Sequence, residues 1–180
     1  MFFPPVDLVE DKYLLPNPLL VDLSVPNSSP DISNLRVSVK IIDKYKKIDV
    51  LINAVGGNLP GSIIEENSSI FELDENAFDD VVNLNLKGTV LPSLVFGKEM
   101  SKNKSGAILN YSSMVTVKVL TKVVGYSAAK AAMENFTKWM AVEMSRKFDG
   151  KIRVNAIAPG FFISKQNKKL LIKENGKLTE

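Results

Sequence analysis

The stretch Gly106–Lys130, GAILNYSSMVTVKVLTKVVGYSAAK, decides the fold of this chain. It begins with an apolar run of strand length, Ala107 to Leu109, which ends in the polar sequence Asn-Tyr-Ser-Ser. A loop follows, and an alanine-rich helix is predicted to begin near Tyr126. Strand, polar strand end, loop and helix is the order of an open α/β sheet, whose ligands bind at the carboxyl ends of the strands. We therefore expect a functional site at the end of this strand.

Two side chains on the predicted helix suggest acid/base chemistry. Tyr126 and Lys130 stand four residues apart and share one helical face. A phenol is a poor acid or base at neutral pH, and a nearby cation favours its phenolate form. A serine hydroxyl at the strand end could hydrogen-bond the substrate oxygen that Tyr126 protonates or deprotonates. The same pair also occurs by chance on helices that have no catalytic role.

A third residue gives the pair a family context. Ser113 lies thirteen residues before Tyr126, and the segment resembles the active-site stretch of the short-chain dehydrogenase/reductase family, a Ser followed by Tyr-x-x-x-Lys. The resemblance implies an NAD(P)-dependent oxidoreductase that transfers a hydride to or from a carbonyl or secondary alcohol. It implies Tyr126 as the general acid/base and Lys130 as the residue that activates Tyr126 and binds the nicotinamide ribose. Ser113 would orient the substrate.

Composition excludes several other kinds of site. The 180 residues, 45% hydrophobic and 24% charged, are typical of one globular domain. The chain has no cysteine and no histidine, which excludes disulfides, thiol chemistry, His-based triads and the usual zinc ligands. We expect no metal. The net charge of +3 comes from scattered lysines, which indicates solvated faces and no nucleic-acid partner. No apolar run reaches the roughly 18 residues of a membrane span, and no signal peptide is visible, so a cytoplasmic protein without membrane contact is expected.

A glycine-containing turn follows the predicted strand at residues 48–52. This strand is a near-continuous apolar run, which is typical of a parallel strand covered on both faces. The turn, Asn53–Asn58, resembles the family motif Asn-Asn-Ala-Gly at Asn53 and Gly56, which implies that both lie at the adenine-ribose side of the cofactor and that the motif steadies the sheet. Asp22, at the end of an earlier predicted strand, matches an acidic residue that touches the adenine. An ordinary turn and an ordinary strand-end aspartate are the alternatives.

A long helix is predicted over residues 75–102, with apolar positions at Phe78, Val81, Val82, Leu86, Val90, Leu94 and Val95. Asn and Gly in its middle cost stability, which indicates a kink or a functional purpose. The family places a catalytic Asn in an Asn-Leu-x-Gly context, where it holds a water that links the lysine to solvent. Asn85 matches, since Gly88 follows it by three, and Asn83 is then expected at the surface.

The predicted helices at 75–102 and 126–146 bear on oligomerisation. Ala128, Ala129, Ala131 and Ala132 leave little side-chain bulk on the second helix, so another helix can pack closely. In the resembled family these two helices form a four-helix interface, which implies a homodimer or homotetramer. Plain internal packing is the alternative explanation of the small residues.

The last predicted strand, residues 151–158, leads into Pro159–Gly160. This dipeptide resembles the family turn beside the nicotinamide, and Ser164 stands where a Thr commonly contacts the carboxamide or phosphate. Residues 161–180 are expected to begin a lid over the substrate. The sequence around them is similar to a sugar-acid branch of the family, the mannonate oxidoreductase or fructuronate reductase type. That similarity implies Asn58, Gln166 and Asn167 as contacts for a small polyhydroxy carboxylate.

The expected fold class is α/β, a Rossmann-like doubly wound parallel sheet. Gly56 is the first glycine, so no glycine-rich phosphate turn can be placed on residues 1–55. We therefore expect 1–180 to be a single partial dinucleotide-binding domain without the first strands and the last strand, and with a poorly defined segment at 1–18. NAD and NADP stay open as the cofactor. Two hypotheses follow: a short-chain type oxidoreductase, or a truncated non-catalytic remnant that binds a ligand or a partner chain.

Overall fold

A computed structural model describes residues 41–59, 61–65 and 67–161 of the chain. The predictions made for the segment 1–18, for Asp22 and for the lid beyond Phe161 lie outside these residues. Within them, residues 41–45 are helical and lead toward the first described strand.

Three parallel strands form the sheet, in the order β1-β2-β3. They are β1 at Val50–Asn53, β2 at Gly106–Tyr111 and β3 at Ile152–Ile157. The register pairs Asn53 with Asn110 and Tyr111 with Ile157. All three strands were predicted, with boundaries that shift by one or two residues. The α/β class is confirmed, and three strands in the described residues agree with the expectation of an incomplete sheet.

The helices connect the strands as parallel pairing requires. They are α1 at Glu75–Val82, α2 at Gly88–Asn103 and α3 at Val124–Phe148. Short 3₁₀ turns occupy Ile70–Glu72 and Met114–Thr116.

Local capping explains where several of these elements begin and end. The side chain of Asp74 accepts hydrogen bonds from the backbone of Asn76 and Ala77, which satisfies free amides at the start of α1. At the C-terminal end of α3, Asp149 adopts a left-handed conformation with φ of 51° and terminates the helix. The next residue, Gly150, also has a positive φ, of 72°.

The single long helix predicted over 75–102 is wrong in one respect. Residues Asn83–Lys87 form a π-helical segment between α1 and α2. The predicted interruption is therefore confirmed and takes the form of a wider turn. π-segments inside helices frequently occur at functional sites.

The core lies between the sheet and the helices that follow β1 and β2. Its buried members are Met100 on α2, Met140 on α3, and Ile108, Ile152 and Val154 on the strands. These side chains hold α2 and α3 against one face of the sheet, which fixes the position of both helices relative to the strand ends.

The buried face of α2 differs from the predicted apolar positions. Leu94 is 52% exposed, whereas Thr89 and Ser93 are completely buried. Their hydroxyls donate hydrogen bonds to the carbonyls of Asn85 and Thr89, so burial leaves neither hydroxyl without a partner. Val90 and Val95, the other two apolar positions predicted on α2, are half-buried. A pattern of apolar residues does not identify buried positions that hold small polar residues, whose hydroxyls are satisfied within the helix.

Candidate active site

The candidate site lies at the carboxyl ends of the three strands, where ligands of parallel sheets bind. β1 ends at Asn53 and is followed by the turn at residues 54–57. Ser112 and Ser113 follow β2, and Pro159 and Gly160 follow β3. The π-helical segment and the first turns of α3 supply the remaining side chains.

Lys130 is the charged group of this site. Its side chain is buried, and Nζ donates a hydrogen bond of 2.7 Å to the carbonyl oxygen of Tyr111 at the end of β2. Nζ also lies 5.6 Å from the centroid of the Tyr126 ring. Burial removes water from the ammonium and lowers the pKa of Lys130 from 10.5 to about 8. The helical spacing predicted from the sequence therefore brings the cation against the aromatic ring.

Asn85 fixes the π-helical segment to the turn after β1. Its Oδ1 accepts a hydrogen bond of 3.0 Å from the Gly57 amide, and its Nδ2 donates to the Gly57 carbonyl at 2.8 Å. Nδ2 also donates to the carbonyl of Val81 at 2.8 Å. The side chain is completely buried, whereas Asn83 is exposed, as predicted. Asn85 thus pairs with both backbone groups of one glycine.

Gly56 is required where the turn passes Asn85 and Lys130. Its φ of +142° lies in a region that L-residues rarely adopt. A Cβ atom at this position would lie 2.4 Å from Asn85 Oδ1 and 3.0 Å from Lys130 Nζ. The glycine backbone therefore packs directly against two predicted catalytic side chains, and the sequence-predicted residues Gly56, Asn85, Tyr126 and Lys130 meet in one place.

Ser113 begins the 3₁₀ turn that follows β2 and is partly buried. Within the described part of the chain its Oγ accepts one long hydrogen bond of 3.4 Å, from the Val115 amide, so the hydroxyl remains able to bind a substrate oxygen. The backbone on either side is held by β3 and the turn after it: the Ser112 amide donates to the carbonyl of Ile157, and the Met114 amide donates to the carbonyl of Pro159. The serine turn and the predicted Pro159–Gly160 turn are thus joined.

Asn53 takes part in a buried polar bridge across the sheet. Its Nδ2 donates to Asn110 Oδ1 at 2.8 Å and to Ser93 Oγ at 2.9 Å. The Nδ2 of Asn110 donates in turn to Thr137 Oγ1 on α3. This geometry supports the expectation that the motif containing Asn53 steadies the sheet. Asn110 and Thr137 were not predicted as site residues, although a polar residue at the end of an apolar strand is a signal for such a bridge.

For the other predicted site residues, the described contacts do not include Tyr126, Lys130 or Asn85. Asn58 Oδ1 accepts a hydrogen bond from Ser62 Oγ at 3.0 Å, within the loop after β1. Pro159 is partly buried and Gly160 is exposed beside β3. Ser164, Gln166, Asn167 and Asp22 lie outside the described residues.

The described part of the chain holds neither a membrane-spanning helix nor a cluster of metal ligands. None of its helices combines the length and the apolar character that would let it cross a membrane. Across residues 41–59, 61–65 and 67–161, no group of three His, Cys, Asp or Glu side chains is placed to hold a metal ion.

Known proteins similar to this chain agree with the geometry. The family model for short chain dehydrogenase matches residues 29–175. An uncharacterized oxidoreductase of Bacillus subtilis, UxuB, is 45% identical over 152 residues, which cover 80% of this chain and 54% of the relative. An uncharacterized oxidoreductase of Haemophilus influenzae is 40% identical over 161 residues, which cover 83% of this chain and 55% of the relative. The chain thus spans about half the length of these relatives.

Solved structures show the same likeness. A proposed D-mannonate oxidoreductase of Haemophilus influenzae, solved with bound NAD, is 40% identical with a TM-score of 0.71, covering 82% of this chain and 55% of that one. ElxO with NADP bound is 29% identical with a TM-score of 0.66, and the match covers 77% of this chain and 52% of ElxO. These likenesses confirm the Rossmann-like α/β fold. Together with the family model they confirm the family expected from Ser113, Tyr126 and Lys130: the chain belongs to the short-chain dehydrogenase family.

Proposed function

We propose that this protein is an oxidoreductase that transfers a hydride between a nicotinamide cofactor and a carbonyl or secondary alcohol. The observation that carries the proposal is the placement of the buried Lys130 ammonium against the Tyr126 ring at the carboxyl ends of the strands. None of the described carboxylates pairs with this ammonium, and a buried cation without such a partner is costly. Its place beside a phenol therefore suggests that it serves the chemistry of the phenol.

The groups at Lys130 fit a nicotinamide ribose. An ammonium has three donor hydrogens, and among the described residues Tyr111 supplies the one acceptor bonded to Nζ. The other hydrogens can donate to the ribose hydroxyls. When bound, the cofactor, NAD or NADP, supplies or accepts the hydride. We assign Asn53, Gly56, Pro159 and Gly160 to its binding, together with Asp22 and Ser164.

The proton in this proposal moves at the Tyr126 hydroxyl. Tyr126 donates a proton to the substrate oxygen during reduction and removes it during oxidation. The positive charge of Lys130 stabilises the negative charge that this transfer leaves on the phenol oxygen. Ser113 Oγ hydrogen-bonds the same substrate oxygen, and Asn85 holds a water that links Lys130 to solvent.

For the substrate we propose a sugar acid of the fructuronate or mannonate kind. The support is the similarity to the proposed D-mannonate oxidoreductase of Haemophilus influenzae. The hydroxyl and carboxylate groups of such a substrate need polar contacts, which we assign to Asn58, Gln166 and Asn167.

Titration with NADH and NADPH, followed by nicotinamide fluorescence, tests cofactor binding. We expect saturable binding that is weakened at least about tenfold in Lys130→Ala, because the variant loses a charged hydrogen bond to the ribose. Oxidation of NADH or NADPH in the presence of D-fructuronate then tests the substrate. No binding of either nucleotide by a folded protein would contradict the oxidoreductase proposal.

A second candidate function, a non-catalytic protein that binds a partner chain through its sheet, has one observation in its favour. Val50 and Ile52 of β1 are 58% and 53% exposed, although both are large apolar residues on a strand. A protein that fails to bind nucleotide but forms a complex through this surface would favour the second candidate.

We also propose that the protein forms a homodimer or homotetramer through α2 and α3. Large apolar residues on their outer faces are exposed, including Leu94 at 52%, Trp139 at 62% and Val142 at 59%. Of the four alanines on the second helix, Ala128, Ala131 and Ala132 are also exposed and can contact another helix, whereas Ala129 is buried and serves internal packing. Exposed apolar patches of this kind typically mark protein interfaces.

Substituting Trp139 with Glu is expected to shift the protein toward monomers, because a charge would be buried in the proposed interface. Light scattering coupled to size-exclusion chromatography measures the mass directly. Val119→Glu, at an apolar loop residue that is 96% exposed, is the matched control and should leave the mass unchanged. A monomeric unsubstituted protein would contradict the proposal.

A further inference from the structure

Glu134 contacts the turn that carries Ser113. It lies on α3, four residues after Lys130 and eight after Tyr126, so all three share one face of the helix. Its Oε1 atom accepts a hydrogen bond of 2.5 Å from Ser112 Oγ and one of 2.8 Å from Thr116 Oγ1. A single carboxylate oxygen therefore binds two hydroxyls from one turn.

These two hydroxyls flank Ser113 in the sequence. Ser112 precedes it directly and is buried, and Thr116 closes the 3₁₀ turn that Ser113 begins. The Thr116 hydroxyl has one hydrogen and a second acceptor within reach, the Ser113 carbonyl at 2.9 Å. A carboxylate is the stronger acceptor of the two, and the Ser113 carbonyl also receives the Thr116 amide at 3.2 Å. The turn therefore keeps the hydrogen bond from the Thr116 amide to the Ser113 carbonyl while the Thr116 hydroxyl donates to Glu134.

The turn is attached to the protein on two sides. On one side, β3 and the residues after it accept the amides of Ser112, at 2.7 Å, and Met114, at 3.2 Å. On the other side, Glu134 connects the turn to the helix that carries Tyr126 and Lys130. Without Glu134, the described hydrogen bonds from the side chains of this turn would no longer reach α3.

We propose that Glu134 is a positioning residue that fixes Ser113 relative to Tyr126. The inference rests on the proposed function, since it assumes that both hydroxyls act on one substrate oxygen. Glu134 acts through Ser112 and Thr116 and touches none of the reacting groups in this proposal. Its role is that of an acceptor, because two hydroxyl donors converge on the single oxygen Oε1.

The acceptor role makes glutamine the discriminating substitution. Glu134→Gln keeps one carbonyl oxygen that can accept both hydroxyls, whereas Glu134→Ala removes the acceptor. We expect Glu134→Ala to lower kcat for D-fructuronate reduction by about tenfold to a hundredfold, because a small displacement of Ser113 misaligns the substrate oxygen. Glu134→Gln should stay within about threefold of the unsubstituted protein, and the NADH dissociation constant should change in neither variant.

Amide hydrogen exchange of residues 112–118 gives a second readout that needs no turnover. We expect faster exchange in Glu134→Ala than in Glu134→Gln. Glu99→Ala is the matched control, since Glu99 is a largely buried glutamate that pairs with Lys102 on α2. It should leave both kcat and the exchange of this turn unchanged.

The outcomes separate this inference from the proposed function. If Ser113→Ala and Tyr126→Phe abolish turnover but Glu134→Ala does not reduce it, the role of Glu134 is refuted and the function stands. If the unsubstituted protein turns over no substrate, the function fails and the exchange rates alone decide whether Glu134 holds the turn. Should Glu134→Ala not fold, the double variant Ser112→Ala, Thr116→Val removes the same hydrogen bonds, and undiminished kcat in it would overturn the inference.

Discussion

Replacing Tyr126 with Phe is expected to lower the turnover of D-fructuronate with NADH by about a hundredfold to ten-thousandfold, the range that general acid/base catalysis supplies. The substitution removes one oxygen atom and with it the proton that reaches the substrate oxygen. The ring remains, so its contact with Lys130 Nζ at 5.6 Å is kept. We expect the folded structure and NADH binding to change little. Initial rates of NADH oxidation, followed by absorbance, measure the effect.

Tyr45→Phe is the matched control for this experiment. Tyr45 is partly exposed at the helical residues before β1 and makes its described ring contact with Lys44. The same loss of a phenol oxygen there should leave the rate unchanged. A Tyr126→Phe variant that retains more than about a tenth of the rate would mean that another group supplies the proton.

Replacing Lys130 with Met should stabilise the fold at neutral pH while it impairs cofactor binding. Burial lowers the pKa of Lys130 to about 8, so below pH 8 the folded protein carries a buried ammonium at a cost of about 3 kcal/mol. Met has a similar length and no charge. After about 1 kcal/mol is subtracted for the lost hydrogen bond to Tyr111, we expect the free energy of unfolding to rise by about 2 kcal/mol at pH 7. Urea unfolding followed by circular dichroism measures this difference.

The pH dependence of the free energy of unfolding tests the lowered pKa of Lys130 independently. Between pH 8 and 10.5 the unfolded chain still holds the Lys130 proton that the folded protein has lost. Stability rises with pH wherever the unfolded state binds more protons. Across this window the free energy of unfolding of the unsubstituted protein should therefore rise by about 3 kcal/mol relative to that of Lys130→Met. Lys98→Met, at an exposed position on α2, is the control and should show no such change relative to the unsubstituted protein. A constant difference between Lys130→Met and the unsubstituted protein over the window would refute the lowered pKa.

A residue that destabilises the fold at neutral pH and yet occupies the site is consistent with a functional role. Functional groups often reduce stability because their chemistry requires an environment that the isolated group would avoid. Lys130 has this character, because its ammonium is buried beside Tyr126 and Gly56 without a carboxylate partner among the described residues. The two predictions above measure the effect on catalysis at Tyr126 and the effect on stability at Lys130, two residues that lie one turn apart on the same helix.

Much of this architecture was predictable from local patterns. The apolar runs that became β1, β2 and β3 were each identified, since strands buried in a parallel sheet are almost continuously apolar. The spacing of Tyr126 and Lys130 predicted a shared helical face, and the structure places the two side chains together. The pattern around Gly88 selected Asn85 over Asn83, and burial of the first and exposure of the second agree with that choice.

Other features depend on contacts between distant residues and had no local signal. Apolar periodicity on α2 included Leu94, which is exposed, and had no signal for Thr89 and Ser93, which satisfy their own hydroxyls and are buried at little cost. The π-helical form of Asn83–Lys87 accompanies the hydrogen bonds of Asn85 to Gly57, which lies 28 residues away.

The sequence by itself determined the fold class, the family and the identity of the catalytic candidates, because strands, helices and motifs are recognised from residues that lie close together in the chain. Only the tertiary structure decided what surrounds these residues. The lowered pKa of Lys130 results from burial, the need for glycine at position 56 from the approach of Asn85 and Lys130, and the attachment of the Ser113 turn from Glu134. Each of these depends on distances between elements that are far apart in the chain, and such distances exist only after the helices have packed on the sheet.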